Sequence, residues 1–343
     1  MSRWAVVLAG GVGSRFWPLS TPSRPKQLLP LVGDESLLAD TLARLAQLVP
    51  AERTLVLTNA GLVDAIARML PALPRKNIIA EPRPAGTTAA LAFAATEIVR
   101  RDGDAAVMIC VHADWAIGDA ESFRRRLSQA ADLAVRHSAL VTVGVVPSRP
   151  DTGFGYIQPG EVVEGDARRV KRFVEKPDRA TAERMVREGY LWNSGIFVWR
   201  AGDLLAEVRA LTPEVAPALD AGADIGRFFA AAKSIAVDIG VLERSKRVLV
   251  LPGDFGWDDV GTWASLKRVR KLDDAGNASS GDVHSVQSHG NVVHAEGNAV
   301  VLYGVSDLVV VTRNGLTVVT TVERAADLKS LVESLPAGVR ERE

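Results

Sequence analysis

The first place in this chain where backbone could meet an anion lies between an apolar run and a proline-rich stretch. Trp4–Ala9 leads directly into Gly10-Gly11-Val12-Gly13-Ser14-Arg15. Lacking Cβ atoms, such a turn can aim several N–H groups at one ligand, and phosphate is the guest that arrangement suits. Beyond it stand Arg15 and, after Pro18, Pro22 and Pro25, Lys26. A nucleoside triphosphate carries about four negative charges, and displacing its pyrophosphate requires cations held where charge collects on the leaving oxygens. Arg15 and Lys26 are read as those cations. One basic residue beside a turn is usually just solvated, but Gly-Gly, Arg and Pro-Lys in so short a stretch form a more specific pattern.

Two commoner glycine loops fit badly. A Walker A loop closes with Gly-Lys-Ser/Thr, whereas this one closes with Ser14-Arg15-Phe16-Trp17-Pro18. The dinucleotide fingerprint needs a third glycine opening a helix, yet Phe16 stands there and the three prolines would stop that helix within a turn.

The elements around the loop read as α/β. Strand-like runs at Trp4–Ala9, Thr54–Thr58, Asn77–Ala80, Ala105–Val111 and Leu140–Val146 alternate with helical patterns at Ser36–Leu48, Leu62–Leu70, Thr87–Arg100 and Ala120–His137. That alternation indicates parallel strands with crossover helices. Further strands are expected at Gln158–Val163, Arg168–Glu175, Asn193–Trp199 and Val248–Leu251, with helices near Ala180–Glu188, Asp203–Ala210 and Pro213–Ala232. The polar stretch Asp273–Gly281 reads as a linker, which makes 1–272 one domain and 273–343 a small β domain closed by a helix over Glu323–Leu335. In that helix Ala326, Leu328, Leu331 and Val332 are expected inward.

Composition removes several function classes. With 41 basic and 41 acidic residues among 343, nothing draws the whole chain to nucleic acid or to an anionic membrane, so anion binding must be local. The single Cys110 cannot form an intramolecular disulfide, Trp4–Leu8 is too short for a signal peptide or a span, and a cytoplasmic address is expected. The histidines lack zinc-ligand spacing with any cysteine. Arg124-Arg125-Arg126 reads as a solvated helix face.

The string from Leu8 to Pro30, LAGGVGSRFWPLSTPSRPKQLLP, resembles the signature of the sugar-nucleotide nucleotidyltransferases, in particular the bacterial mannose-1-phosphate guanylyltransferase (GDP-mannose pyrophosphorylase) branch. The likeness continues through Glu81-Pro82, Gly153–Ile157, Phe173–Pro177, Trp192–Phe197 and Trp257–Trp263 in the same order and spacing. It implies a Rossmann-like, mostly parallel mixed sheet of the glycosyltransferase-A type with a small β-helix or β-roll appendage, often a dimer buttress. It also implies GTP and mannose 1-phosphate as substrates, GDP-mannose and pyrophosphate as products, and Mg²⁺ as cofactor. Without a further isomerase segment, only the transferase activity is expected.

The same resemblance assigns roles. Leu8, Ala9, Gly10, Gly11, Gly13, Ser14, Glu81, Pro82, Gly86 and Thr87 would bind nucleotide, with Arg15 and Lys26 acting on its phosphates. Asp114, at the carboxyl end of a parallel strand, would hold Mg²⁺ together with Asp259, in preference to Asp258. Lys176 would pin the sugar phosphate, its direction fixed by an extended backbone before Pro177. Glu175 and Asn193 would meet sugar hydroxyls, with Gly155 allowing close backbone approach. On residue types alone, Asn-Ser-Gly could equally be a bare turn and Phe-Val-Glu-Lys an ordinary strand. Two departures stand out: Trp115 replaces the family's usual His, and Gly86-Thr87 replaces its Asn-Thr. They leave open another base and hexose pair, such as glucose 1-phosphate. A catalytically silent sugar-nucleotide-binding subunit is the competing class, but it would be expected to have lost a cation or a metal carboxylate.

Overall fold

The computed structural model describes residues 1–11 and 13–340; Val12 of the glycine loop lies outside the described residues. The chain divides into two compact units, each assembled from separated segments. Unit 1 comprises 1–10, 43–112 and 119–255, and unit 2 comprises 11–42, 113–118 and 256–343. The boundary read from the sequence at 272/273 runs through unit 2.

In chain order the first strands are β1 (Arg3–Leu8), β2 (Thr54–Asn59), β3 (Ile78–Glu81), β4 (Val107–His112), β5 (Ala116–Ile117) and β6 (Leu140–Val145). They are followed by β7 (Tyr156–Glu164), β8 (Ala167–Val174), β9 (Leu191–Arg200), β10 (Val248–Gly253) and β11 (Trp257–Asp258). Unit 1 is built on a mixed sheet in the order β3-β2-β1-β4-β9-β6-β10-β8-β7. β1 pairs in parallel with both β2 and β4, while β9 runs antiparallel between β4 and β6. These strands are Val, Leu and Ile runs because both faces of the sheet centre are covered. The helix Gly86–Asp102 contributes Ala89, Ala90, Ala92, Ala94 and Ala95 to the core, with Leu91 and Phe93 as the large fillers.

Two helical expectations change. Pro213–Ala232 is not continuous: Gly222, at φ 55°, separates a 3₁₀ turn at Ala216–Ala221 from a helix at Ile225–Ala231, whose start is capped by the Asp224 carboxylate. The closing helix begins as a 3₁₀ turn at Arg324–Asp327, and its tighter winding rotates the inward face. Ala325 and Leu328 are therefore buried, whereas Ala326 and Leu331 face outward.

In unit 2 the β domain runs through β12 (Ala278–Ser280), β13 (Val283–Val286), β14 (Val292–Ala295), β15 (Val300–Tyr303), β16 (Leu308–Arg313) and β17 (Leu316–Thr321). β12, β14 and β16 stack in parallel, as do β13 and β15, so successive turns of chain coil like a short β-helix. Asparagines stitch the coils together: Asn291 donates both its backbone N–H and its side-chain amide to Asn277 Oδ1, and Leu308 N–H donates to Asn291 Oδ1. Each amide satisfies backbone groups that the turns leave without ladder partners. No helix among the described residues is long and apolar enough to cross a membrane.

Candidate active site

In unit 2, Gly11 and Gly13 lead into a 3₁₀ turn at Ser14–Phe16. Gly13 has φ 67°, and a Cβ built there would lie 2.3 Å from Lys26 Cβ, so only glycine satisfies both the turn and the close approach. Gly10 and Gly11 have open space where a Cβ would stand. Arg15 is exposed, with Nη1 3.5 Å from Gly261 O.

Lys26 is not a solvated surface cation. It is 5% exposed, and its ammonium donates to Asp114 Oδ2 at 3.1 Å and to the Asp259 carbonyl at 2.6 Å. A two-residue antiparallel ribbon explains the meeting. β5 pairs with β11 through Ala116 opposite Asp258 and Ile117 opposite Trp257, so Asp114 and Asp259 extend from the same end. Trp115 and Trp257, both buried, pack edge to face at 5.9 Å behind that end. The residue that departs from the family pattern is thus half of an aromatic brace.

The neighbouring carboxylate has a different task. Asp258, also buried, accepts from Arg268 Nε at 2.6 Å, Arg268 Nη2 at 3.1 Å and Val260 N–H at 2.9 Å. It thereby pins the turn that carries Asp259. Val260 adopts φ 46°, a genuine outlier for a β-branched residue and the kind of strain that collects at functional turns. A Cβ at Gly261 would sit 2.5 Å from Asp259 Oδ2, so the missing side chain makes room for that carboxylate.

The Asp114 carboxylate on the Lys26 ammonium and the carboxylate of Asp259, whose own backbone carbonyl receives that ammonium, are hard oxygen donors of the sort Mg²⁺ takes in small number, filling the rest of its shell from phosphate and water. No group of three or more His, Cys, Asp or Glu placed to hold a metal occurs among the described residues. The residues fit such an ion.

In unit 1 the residues expected from the sequence to meet nucleotide lie at or just beyond the ends of the first strands. Ala9 N–H donates to Leu57 O at 2.8 Å, and Thr58 Oγ1 donates to Ala9 O at 3.0 Å, fixing Leu8–Gly10 as β1 ends. Glu81 ends β3 with Pro82 exposed after it, and burial pushes the Glu81 carboxyl up from 4.5 to about 7. Across that window the folded chain keeps a proton the unfolded chain has released, so this group makes stability fall as pH rises from 4.5 to about 7. Melting temperatures of Glu81→Gln should show a shallower decline between those pH values; an unchanged slope would mean that Glu81 binds its proton alike in the folded and unfolded chain. Gly86, at φ 77°, and Thr87 open the helix Gly86–Asp102.

Gly155, Glu175 and Asn193, expected from the sequence to meet the sugar, lie close together. Asn193 N–H donates to Gly155 O at 2.8 Å, and a Cβ at Gly155 would lie 2.9 Å from Glu175 Oε2. The Asn-Ser-Gly run is a β-bulge, not a bare turn: adjacent Val143 and Gly144 face Ile196 and Asn193, and Gly195 takes φ 74°. Ser194 Oγ donates to Val143 O at 2.5 Å, closing the bulge and re-aiming Asn193. Lys176 corrects its expectation. Its φ is 40°, left-handed rather than extended, and its ammonium sits 3.0 Å from Glu175 Oε1 with both side chains more than half exposed. Steric repulsion from Pro177 argued for an extended residue, but the Val174–Pro177 turn leaving β8 imposes the rarer conformation. Cys110 is buried in β4, where burial pushes its thiol pKa up and leaves it no nucleophilic role.

Sequence reading also missed Asp238. The segment between the helix ending at Ala231 and β10 shows no helix or strand period, and it folds in part as one π-helical turn, Asp238–Leu242. Asn193 Nδ2 donates to Asp238 Oδ1 at 2.7 Å.

The glycine turn, buried lysine and neighbouring aspartates of unit 2 are residue types that phosphate-transferring enzymes use. Residues 4–275 match the nucleotidyl transferase family, and the chain belongs to it. Mannose-1-phosphate guanylyltransferase ManC of Salmonella typhimurium is 38% identical over 98% of this chain and 74% of its own length. Xanthan biosynthesis protein XanB of Xanthomonas campestris pv. campestris is 37% identical over 98% and 73%. A solved structure described as mannose-1-phosphate geranyltransferase, from Thermus thermophilus, superposes with a TM-score of 0.90 at 36% identity, covering 97% of this chain and 99% of that one. The family typically uses a divalent metal.

Proposed function

We propose that this enzyme joins GTP to mannose 1-phosphate, releasing pyrophosphate and forming GDP-mannose. The observation that carries the chemistry is the buried Lys26 ammonium gathered with Asp114 and Asp259 in unit 2. The substrate pair rests on the near full-length likeness to guanylyltransferases. An oxygen of the sugar phosphate attacks the α-phosphorus in line; the bond from that phosphorus to the α–β bridging oxygen breaks, and pyrophosphate leaves with the electron pair. The attacking phosphate is already ionised, so no general base is needed.

Leu8, Ala9, Gly10, Gly11, Gly13 and Ser14 supply backbone to the phosphates, and Glu81, Pro82, Gly86 and Thr87 receive the nucleoside. Arg15 and Lys26 neutralise charge on the departing pyrophosphate. Asp114 and Asp259 would hold Mg²⁺, which when bound neutralises phosphate oxygens and orients the nucleotide. Glu175, Asn193 and Gly155 take the hexose and Lys176 its phosphate. Residues 1–272 then form the transferase domain, and 273–343 form an accessory domain that pairs two copies. The exposed Val286, Val301 and Tyr303 of β13 and β15 supply an apolar face for that homodimer. A reducing cytoplasm suits its lone thiol.

Pyrophosphate release across four nucleoside triphosphates and several hexose 1-phosphates, with and without Mg²⁺, tests the proposal. GTP with mannose 1-phosphate should exceed the next pair by at least about tenfold, the scale of one lost polar contact. Absence of turnover on every pair would sink the enzyme reading.

A further inference from the structure

The segment from Ile235 to Glu243 lies on residues from both ligand-side groups of unit 1. Thr88 N–H donates to Ile235 O at 3.2 Å, and Val237 N–H donates to Thr87 Oγ1 at 2.9 Å. A Cβ at Gly86 would lie 2.4 Å from Ile235 O, so that glycine is what lets the segment settle on the start of the helix Gly86–Asp102. Thr212 Oγ1 then donates to Gly240 O at 2.6 Å and anchors the π-helical turn. One residue beyond the Val237 anchor, Asp238 receives the Asn193 amide at 2.7 Å. A π turn of this kind often marks a functional position.

An ionised carboxylate accepts hydrogen bonds and cannot donate them. Asn193 must therefore turn its NH₂ toward Asp238, because the flipped amide would set oxygen against oxygen. Asn193 Oδ1 is left on the other side, 3.4 Å from Gly195 N–H. One amide N–H and one carbonyl lone pair then face any hexose in a single fixed order. Hexose epimers differ only in where a hydroxyl points, so a fixed donor and acceptor order discriminates among them, whereas an amide free to flip serves both. Burial, and after it the nearby charges of Asp238 and Glu175, raise the Glu243 pKa.

We propose that Asp238 is a positioning and specificity-determining residue, acting through Asn193 to fix the donor and acceptor pattern presented to the sugar. The assignment rests on the sugar-side reading of Asn193 given above. Steady-state kinetics of Asp238→Ala and Asp238→Asn with mannose 1-phosphate and glucose 1-phosphate, at varied GTP, tests it. Asp238→Ala should raise KM for mannose 1-phosphate at least about twentyfold, as for loss of a partly buried polar pair, with KM for GTP within about threefold. Asp238→Asn can pair with Asn193 in either orientation. It should therefore hold KM within about fivefold while reducing mannose over glucose discrimination at least about fivefold. If both variants keep wild-type KM and discrimination, Asp238 only pins the bulge, whatever its effect on melting temperature, and the proposal fails. An equal rise in KM for GTP overturns it too. Should Asp238→Ala not fold, Asp238→Asn decides alone. A wild-type enzyme inactive on every substrate pair would instead sink the proposed function, and this assignment with it.

Discussion

Lys26→Ala should lower kcat at least about a hundredfold, equivalent to about 2.7 kcal/mol of transition-state stabilisation, while KM for GTP rises less than about tenfold. Charge on the bridging oxygen grows only as pyrophosphate departs, so a cation aimed there acts mainly in the transition state. Lys26 suits that role because it cannot wander: its stem packs beside Gly13, and its ammonium is held by Asp114 and the Asp259 carbonyl. Lys26→Met retains most of the stem and separates lost charge from lost packing. It should melt within a few degrees of wild type yet share the kinetic defect. Lys26→Arg should not rescue, since a planar guanidinium needs more room than this 5% exposed pocket leaves. A loss below about threefold in Lys26→Ala would place the leaving-group cation elsewhere.

What could be read from the sequence was whatever lies close along the chain or repeats with a period. The alternation from Trp4 to Val146 led directly to β1–β4, β6 and their helices, because burying strand and helix faces leaves a pattern in residue type. The glycine loop was legible because its parts are neighbours. Other features depend on contacts that no spacing records. The ribbon uniting Asp114 with Asp259 joins segments far apart in sequence, and its two-residue strands carry no periodic signal. Lys176 shows a local rule overridden: proline disfavours the neighbouring helical region, but the turn leaving β8 selects a left-handed residue. Asp238 was invisible because a π turn has no period to detect and its partner, Asn193, sits on another element. Trp115 reads from the sequence as a lost polar group beside the carboxylates expected to hold a metal, whereas it packs on Trp257 and braces the strand end from which Asp114 and Asp259 project.

The adjacent aspartates offer the sharpest separation of chemistry from stability. Asp259→Ala should reduce turnover at least about a hundredfold with a nearly unchanged melting temperature, since its carboxylate lies over a glycine in a partly open turn. Its residual activity should need a higher Mg²⁺ concentration for half-saturation, as expected when one of two protein ligands is removed. Asp258→Ala should do the reverse at the level of folding. It strands the Arg268 guanidinium and the Val260 amide, and releases a β-branched residue from φ 46°. Breaking a buried pair costs several kcal/mol, but Arg268 keeps part of its hydration, so a loss of roughly 2 kcal/mol is expected. Activity in Asp258→Ala would also decline, because the turn carrying Asp259 loses its pin, yet the Mg²⁺ requirement of the folded fraction should shift less than in Asp259→Ala. Thermal melts and Mg²⁺ titrations on the two variants distinguish the roles. A large melting change in Asp259→Ala, or a larger Mg²⁺ shift in Asp258→Ala, would exchange the assignments and make the buried carboxylate the metal ligand.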